Sequence, residues 1–446
     1  MSKQERLEKA VKIAGTIFKS EFQYPKVQKG RYDVVNSKLE KAKWAYRHWF
    51  NQLEVAEKGS GLEEYFRNQD LSFKLPKGFK IENTASISSA GDLLAVDVLV
   101  PENTKYIFDD IVEFYGSADL VCANLESPVD MDKPIGRTQV FGQPAQMNTS
   151  RGMLERFINE GKINYFSTAN NHSIDWGEEG LLATIEELEN AGVYFSGTNR
   201  SLEEQEDVRI MDLNGIRVAM LAYTMDLNGR SVPKGKEYLV NEVRFNDEIC
   251  DISLIKRHVK KAKEKGADKI IACCHWGWEF EMYPHKNVVE IGHEIIETGV
   301  DIILGNHPHV SQPMEKYVYE KDGATKEGFI VYAFGNFVTY HPRSRNSSLA
   351  YTIKFGLAKG ELNGETKTFI HNLKMLPVYI LNEELPDGKY NCRILKFTNV
   401  LEDKKVDGKY KYGLIEWERG NLTHLNDVVL KKILLPKEYD EDLIYK

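Results

Sequence analysis

A chain of 446 residues is long enough for one large α/β domain with additions, or for two or three domains. Its 42% hydrophobic and 28% charged residues describe a globular protein, and a formal charge of −8 argues against general nucleic-acid binding. The five cysteines form no CxxC pair and fit buried thiols in a reducing compartment, and no apolar run is long enough for a transmembrane anchor, so the expected location is cytoplasmic.

Residues 1–80 read as a helical extension. Leu7, Val11, Ala14 and Phe18 share one face, with Lys and Arg opposite, which predicts a helix packed on the main domain. Residues 36–56 continue helical, with Trp44, Trp49 and Leu53 as apolar bulk, and 75–78 read as a linker. Residues 81–384 form the main domain and 385–446 a strand-containing C-terminal extension. In the main domain a strand over 81–89 runs into Gly91–Asp92–Leu93. A second apolar run, 118–123, ends in Asn124–Leu125–Glu126. A third, 163–168, ends in Ala169–Asn170–Asn171–His172. Asp175 follows as the expected N-cap of a helix over 178–191. Strands over 193–195 and 216–223 and a helix over 251–265 come next. Beyond 312, a strand ends at Gly335–Asn336, and 349–380 reads as antiparallel strands of a second sheet. The tail offers two further strand-like runs, CRILKF and YGLIEW.

The richest stretch is KIIACCHWGWEFEMYPHKNVVEIGHEIIETGVDIILGNHPHVSQ, residues 269–312. Its two apolar runs release His275, then His307 and His309, with a helix over 287–298 between them. Right-handed crossovers put both strand ends at one edge of a parallel sheet, where α/β proteins build their sites. His285 and His293 read as ordinary polar positions. Three converging imidazoles suit Zn, Mn, Fe or Ni better than Mg alone. With Asp92, Asn124, Glu126, Asn171 and His172 at other strand ends, the mixture is that of a transition-metal hydrolase. A carboxylate can bridge two cations, imidazole and amide complete the spheres, and the metal acidifies a bound water. Asn171 and His172 are adjacent and point in different directions. Asn171 is assigned to the metal and His172 to the substrate, as general acid or oxyanion donor.

These residues resemble the bacterial capsule-synthesis family of CapA type, linked to poly-γ-glutamate and similar in fold to calcineurin-like metallophosphoesterases. The matching pieces are GDLL at 91–94, NLE at 124–126, ANNHSIDWGEEGLLATIEELENAGV at 169–193, CHWGWEF at 274–280, GNHPHVSQP at 305–313 and YAFGNFV at 332–338. The resemblance implies a four-layer α/β/β/α sandwich carrying one or two divalent transition metals, Mn, Zn or Fe. Asp92, Glu126, Asn171, His275, His307 and His309 would be ligands and His172 the catalytic histidine. Asn124 and Asp175 join the catalytic candidates, and Trp276, Glu279 and Asn336 the substrate-binding ones. Two departures stand out. General metallophosphoesterases open with Asp-x-His, where this chain has Asp92–Leu93–Leu94, and Glu126 stands where they carry Asp. One metal site is therefore poorer in ligands, which weighs against phosphate-ester hydrolysis as the native reaction. The implied activity is hydrolysis or acyl transfer on a γ-glutamyl polymer or related cell-envelope substrate. The alternatives are a phosphoesterase on a small phosphorylated molecule or nucleotide, and a non-catalytic subunit of a polymer synthase. Arg137, Arg151, Arg343 and Arg345 sit in expected loops where they would offset a polyanion's charge, or serve as plain solvated surface.

Overall fold

The computed structural model describes residues 3–26, 37–50, 52–140, 143–342 and 344–445. Sixteen strands are found among them: β1 Lys80–Leu93, β2 Leu120–Leu125, β3 Gly136–Thr138, β4 Gln146–Asn148, β5 Tyr165–Ser167, β6 Tyr194–Ser196, β7 Ile210–Leu213, β8 Ile216–Thr224, β9 Lys269–His275, β10 Ile302–Asn306, β11 Met314–Lys321, β12 Ala324–Val331, β13 Asn336–Val338, β14 Leu349–Leu362, β15 Glu365–Glu384 and β16 Tyr390–Lys396.

Two sheets hold nearly all of them. The first runs β16-β15-β14-β1-β2-β5-β6, with β13 also paired to β1; the second runs β11-β12-β10-β9-β8-β7. β1, β2, β5 and β6 are parallel, as are β8, β9, β10 and β12. Strands such as β2 (LVCANL) and β10 (IILGN) are buried along their whole length. Such continuous burial is expected of parallel strands covered on both faces. β1 and β14 pack against β8, and β1 also against β10, so the sheets lie face to face. Helices Lys286–Thr298 and Gly177–Asn190 pack beside β10 and β6 respectively, completing an α/β/β/α order.

Three local expectations change. Strands β14 and β15 extend the first sheet, because β14 pairs antiparallel with β1 over most of its length, and do not start a second one. The run YGLIEW is no strand; a helix, Glu416–His424, begins inside it. Asp175 caps nothing: helix Gly177–Asn190 starts after Trp176 without a side-chain cap, because the Asp175 carboxylate is taken by other partners.

The chain before the main domain is woven into it. Leu62, Phe66, Leu71 and Phe73 belong to the same apolar core as both sheets, and so do Cys392, Ile394 and Leu395 of β16. The first helix, Lys3–Ile17, packs through Val11 on Phe22 of the short turn Lys19–Phe22 and on Tyr46 of a second long helix, and not on the sheets; Leu7 and Phe18 stay exposed. That second helix, Lys38–Trp49, is capped by Ser37, whose hydroxyl accepts from the Glu40 amide. Asn36 and Asn51, inside the helical span expected over 36–56, lie outside the described residues. No helix among the described residues is long and apolar enough to cross a membrane, and all five cysteines are free thiols.

Candidate metal centre

Sheet register brings the site together. Across the first sheet Asp92 pairs with Asn124 of β2 and with Asn336 of β13, and Asn124 pairs with Ser167 of β5. Across the second, His275 pairs with Asn306 of β10 and Thr224 of β8. The strands therefore end in two rows of polar groups. Glycine permits the crowding: a Cβ on Gly91 would lie 1.9 Å from the Gly335 carbonyl oxygen, and one on Gly305 would lie 2.0 Å from that of Tyr332. Past β10 the backbone turns sharply. His307 (φ 102°) and His309 (φ 54°) both take left-handed conformations, as does Phe280 (φ 65°) after β9. Non-glycine residues adopt these at a cost, and such strain gathers where a site fixes side chains.

Two groups of donors result. His275 Nε2 lies 3.1 Å from His307 Nδ1, 3.0 Å from Asn171 Oδ1 and 3.4 Å from Glu126 Oε1. His309 Nδ1 lies 3.4 Å from Asp92 Oδ2, and its Nε2 lies 3.6 Å from the same Glu126 Oε1. Glu126, His275 and His307 form one set able to hold a metal, and Asp92, Glu126 and His309 another, all buried, with Glu126 common to both. Ligand bonds of ~2.0–2.2 Å around one cation leave neighbouring donor atoms roughly 3.0–3.5 Å apart, which is the spacing seen.

The donors fit a cation on two further counts. Both Glu126 carboxylate oxygens are buried without a hydrogen-bond partner. A desolvated anion left so is costly unless a positive charge answers it. Burial also pushes the Glu126 carboxyl well above its ordinary range and that of Asp92 up to about 7, while it drives His275 and His307 well below theirs and His309 down to about 3. The protein alone thus disfavours charge on every donor, and a divalent ion reverses that for the carboxylates.

Neighbouring amides are fixed in turn. Asn124 Oδ1 accepts from the Ser167 hydroxyl at 3.0 Å, so its Nδ2 donates to Asp92 at 2.8 Å and faces His275 Nδ1 at 3.3 Å. Asn171 Nδ2 donates to Asn228 Oδ1 at 3.2 Å, which leaves its Oδ1 for the cluster. Asn336 donates to the Ser347 carbonyl, and its Oδ1 lies 3.0 Å from His309 Nδ1. His172 stands beside the donors: its Nδ1 lies 2.7 Å from Asp175 Oδ2. Asp175 also accepts from the Met147 amide at 2.7 Å and meets the Arg230 guanidinium at 2.9 Å. Glu279 is half-buried, and burial raises its carboxyl even though the Trp44 indole donates to it.

Trp276 does not fit the role expected of it. It is fully buried against Phe245 and Tyr332 and donates to the Tyr332 carbonyl, which removes it from contact with a ligand. The expected free arginines are paired too: Arg137 with Asp97, Arg151 with Glu187 and Arg345 with Glu54; Arg343 lies outside the described residues. His285 and His293 are engaged elsewhere, with Glu281 and Glu315, as their plain reading expects. Sequence reasoning missed Ser167, Asn228 and Arg230, which hold Asn124, Asn171 and Asp175 and lie in no recognisable motif. Asn170 was legible in the ANNH run: its side chain donates to the Leu125 carbonyl at 2.7 Å and accepts from the His172 amide, pinning the loop.

Fold and site together define an α/β protein of metallophosphoesterase-like architecture with a buried His, Asn and carboxylate cluster at the strand ends. The chain belongs to the bacterial capsule synthesis protein PGA_cap family, whose pattern matches residues 77–341. It is 24% identical to the capsule biosynthesis protein CapA of Bacillus anthracis over 58% of this chain and 62% of that protein, so it spans less than two thirds of that relative. It is 26% identical to the PGA biosynthesis protein CapA of Bacillus subtilis, over 75% of this chain and 83% of the relative. A shorter likeness, 28% over 170 residues, covers 37% of this chain and 24% of the NAD 5'-nucleotidase of Haemophilus influenzae.

Proposed function

We propose that this protein is a metal-dependent hydrolase, or an acyl transferase by the same chemistry, acting on a γ-glutamyl polymer or a related cell-envelope substrate. Family membership and the names of the two CapA relatives support the substrate class. The metal rests on one observation above the others: the Glu126 carboxylate is shared by two donor sets and has no hydrogen-bond partner of its own. Glu126, His275, His307 and Asn171 would hold one ion, and Asp92, Glu126 and His309, with Asn336 nearby, would hold a second. A bound Mn, Zn or Fe ion would supply Lewis acidity to the scissile group and to the attacking water.

The chain's own groups do the rest. Asp175 can only accept, so in the neutral ring His172 carries its proton on Nδ1 and offers Nε2 to take or return a proton at the leaving atom. Arg230 and the Met147 amide keep Asp175 in place for this. Asn124 orients Asp92 and His275, and Glu279 lines the approach. The middle part of the chain, 81–384, carries all these residues, with 1–80 and 385–446 as extensions. The five free thiols support a reducing, cytoplasmic setting.

A second reading, a phosphoesterase, draws support from the nucleotidase likeness. Assays with γ-glutamyl-p-nitroanilide and p-nitrophenyl phosphate, each with added Mn or Zn, separate the two. Turnover of the anilide is the expected result; turnover of the phosphate alone overturns the first reading in favour of the second.

A further inference from the structure

The helix Lys38–Trp49 precedes residues 77–341, the span shared with the family, yet one end of it reaches the metal centre. His48 is the contact. Its ring stacks on Trp44 (5.4 Å between centroids, 10° between planes), leans on Phe280 at 5.0 Å and meets His341 edge-on at 6.2 Å. His341 in turn lies 4.7 Å from His309, a proposed ligand. The three imidazoles form a row leading outward from the metal donors.

The position is held firmly. The Trp44 indole donates to Glu279, and Arg47 makes a buried ion pair with Glu281. Just beyond the helix, Leu53 pairs with the site loop, its amide donating to the Phe280 carbonyl at 2.9 Å and its carbonyl accepting from the Met282 amide at 2.7 Å. The Gln52 side chain donates to Ser344, on the loop that follows His341. The helix is thus fastened to both loops that flank the donors. Between these anchors, His48 Nδ1 is buried with no hydrogen-bond partner. Buried polar atoms are nearly always paired, so the gap marks a place where something else supplies the partner.

We propose that the helix Lys38–Trp49 is one wall of the substrate cleft and that His48 is a positioning residue, hydrogen-bonding a polar group of the substrate that extends past His341, away from the bond being cleaved. The inference rests on the metal-centre reading and adds to it the residue that grips the part of a long substrate outside the reacting bond. Trp44 sets the ring's plane. The wall comes from outside residues 77–341, the span that the family pattern matches.

Calorimetry on the Mn-loaded full-length protein tests this with three ligands. Inorganic phosphate reports the metal centre alone; γ-glutamylglutamate and phenyl phosphate reach beyond it. His48→Phe keeps the stacking ring and removes both nitrogens. It should weaken one of the longer ligands about fivefold to tenfold, the worth of one hydrogen bond, and leave phosphate affinity and manganese content unchanged. His48→Gln, which restores a donor and an acceptor, should recover most of the loss. Unchanged affinity for both longer ligands overturns the proposal, and so does a loss shared by phosphate or accompanied by loss of metal, which would mark a structural role. If phenyl phosphate binds wild type and γ-glutamylglutamate does not, the γ-glutamyl reading fails and phenyl phosphate still decides on His48. If neither longer ligand binds wild type while phosphate does, the cleft wall is refuted and the metal centre stands.

Discussion

At the scale of single residues, His172 and His258 show how one side chain serves opposite ends according to its partners. His172 is tied to Asp175, and Asp175 to Arg230, so the imidazole is oriented from outside the two donor groups. His172→Ala should therefore lower kcat by about 10²–10⁴-fold while the protein keeps its full metal content, read by steady-state kinetics beside elemental analysis. Loss of metal in that variant would make His172 a ligand instead. His258 lies on the far side of β8, packed on Tyr223, whose hydroxyl is 2.8 Å from its Nδ1; Glu206 and Arg257 are the charges nearest it. Burial pushes its pKa down from 6.5 to about 4. Between those values the unfolded chain takes a proton that the folded one refuses. The stability this protects is present above pH 6.5 and is lost as pH falls toward 4, by about 1.4 kcal/mol per unit. His258→Gln should flatten the fall of Tm between pH 6.5 and 4.5 relative to wild type. An unchanged slope would mean that the ring charges without penalty.

At the scale of elements, the site is a product of register. Asp92, Asn124 and Asn336 fall side by side because β1 pairs in parallel with both β2 and β13, and an irregularity in β1 between Ser89 and Asp92 sets Asp92 opposite Asn124. A one-residue slip would turn each side chain to the other face. Gly91 and Gly305 let neighbouring backbone come closer than any Cβ allows. Gly305→Ala should cost about 1–3 kcal/mol, measured by thermal unfolding, because the carbonyl of Tyr332 is backbone and cannot swing aside. Much of this was legible in the chain. Apolar runs ending in His275, in His307 and His309, in Asn124 to Glu126 and in Asn171 to His172 announced strands and their edge at once, since a buried strand must stop where polar groups begin. What escaped notice has physical causes. Asp175 looked like a helix cap because capping is the local use of such a residue, and the competing partners, Met147 and Arg230, are remote in sequence. Trp276 looked like a binding residue because an aromatic beside a ligand suits either a pocket or a core, and only packing decides. Strands β14 and β15 carry ordinary alternation, which says nothing about which sheet they join.

At the scale of the molecule, the N-terminal segment and the sheets share one structure. Arg47 and Glu281, both buried, join the helix Lys38–Trp49 to the loop after β9. Burial alone would raise the Glu281 carboxyl, but the charges of His285 and Arg47 beside it hold it below its ordinary value. Removing the guanidinium leaves Glu281 with His285 as its remaining partner, so Arg47→Met should destabilise the protein by about 1–3 kcal/mol in denaturant unfolding. A change near zero would mean that the helix rests on the surface without being part of the fold.

Glu126 is the one carboxylate common to both donor groups, and the proposed metal centre depends on it. The most direct measurement is the metal content of purified protein after incubation with Mn or Zn and gel filtration, for wild type and for Glu126→Gln. One or two equivalents per chain in wild type and a fall toward none in the variant are predicted. Wild type without bound metal, or a variant that retains as much as wild type, would contradict the account.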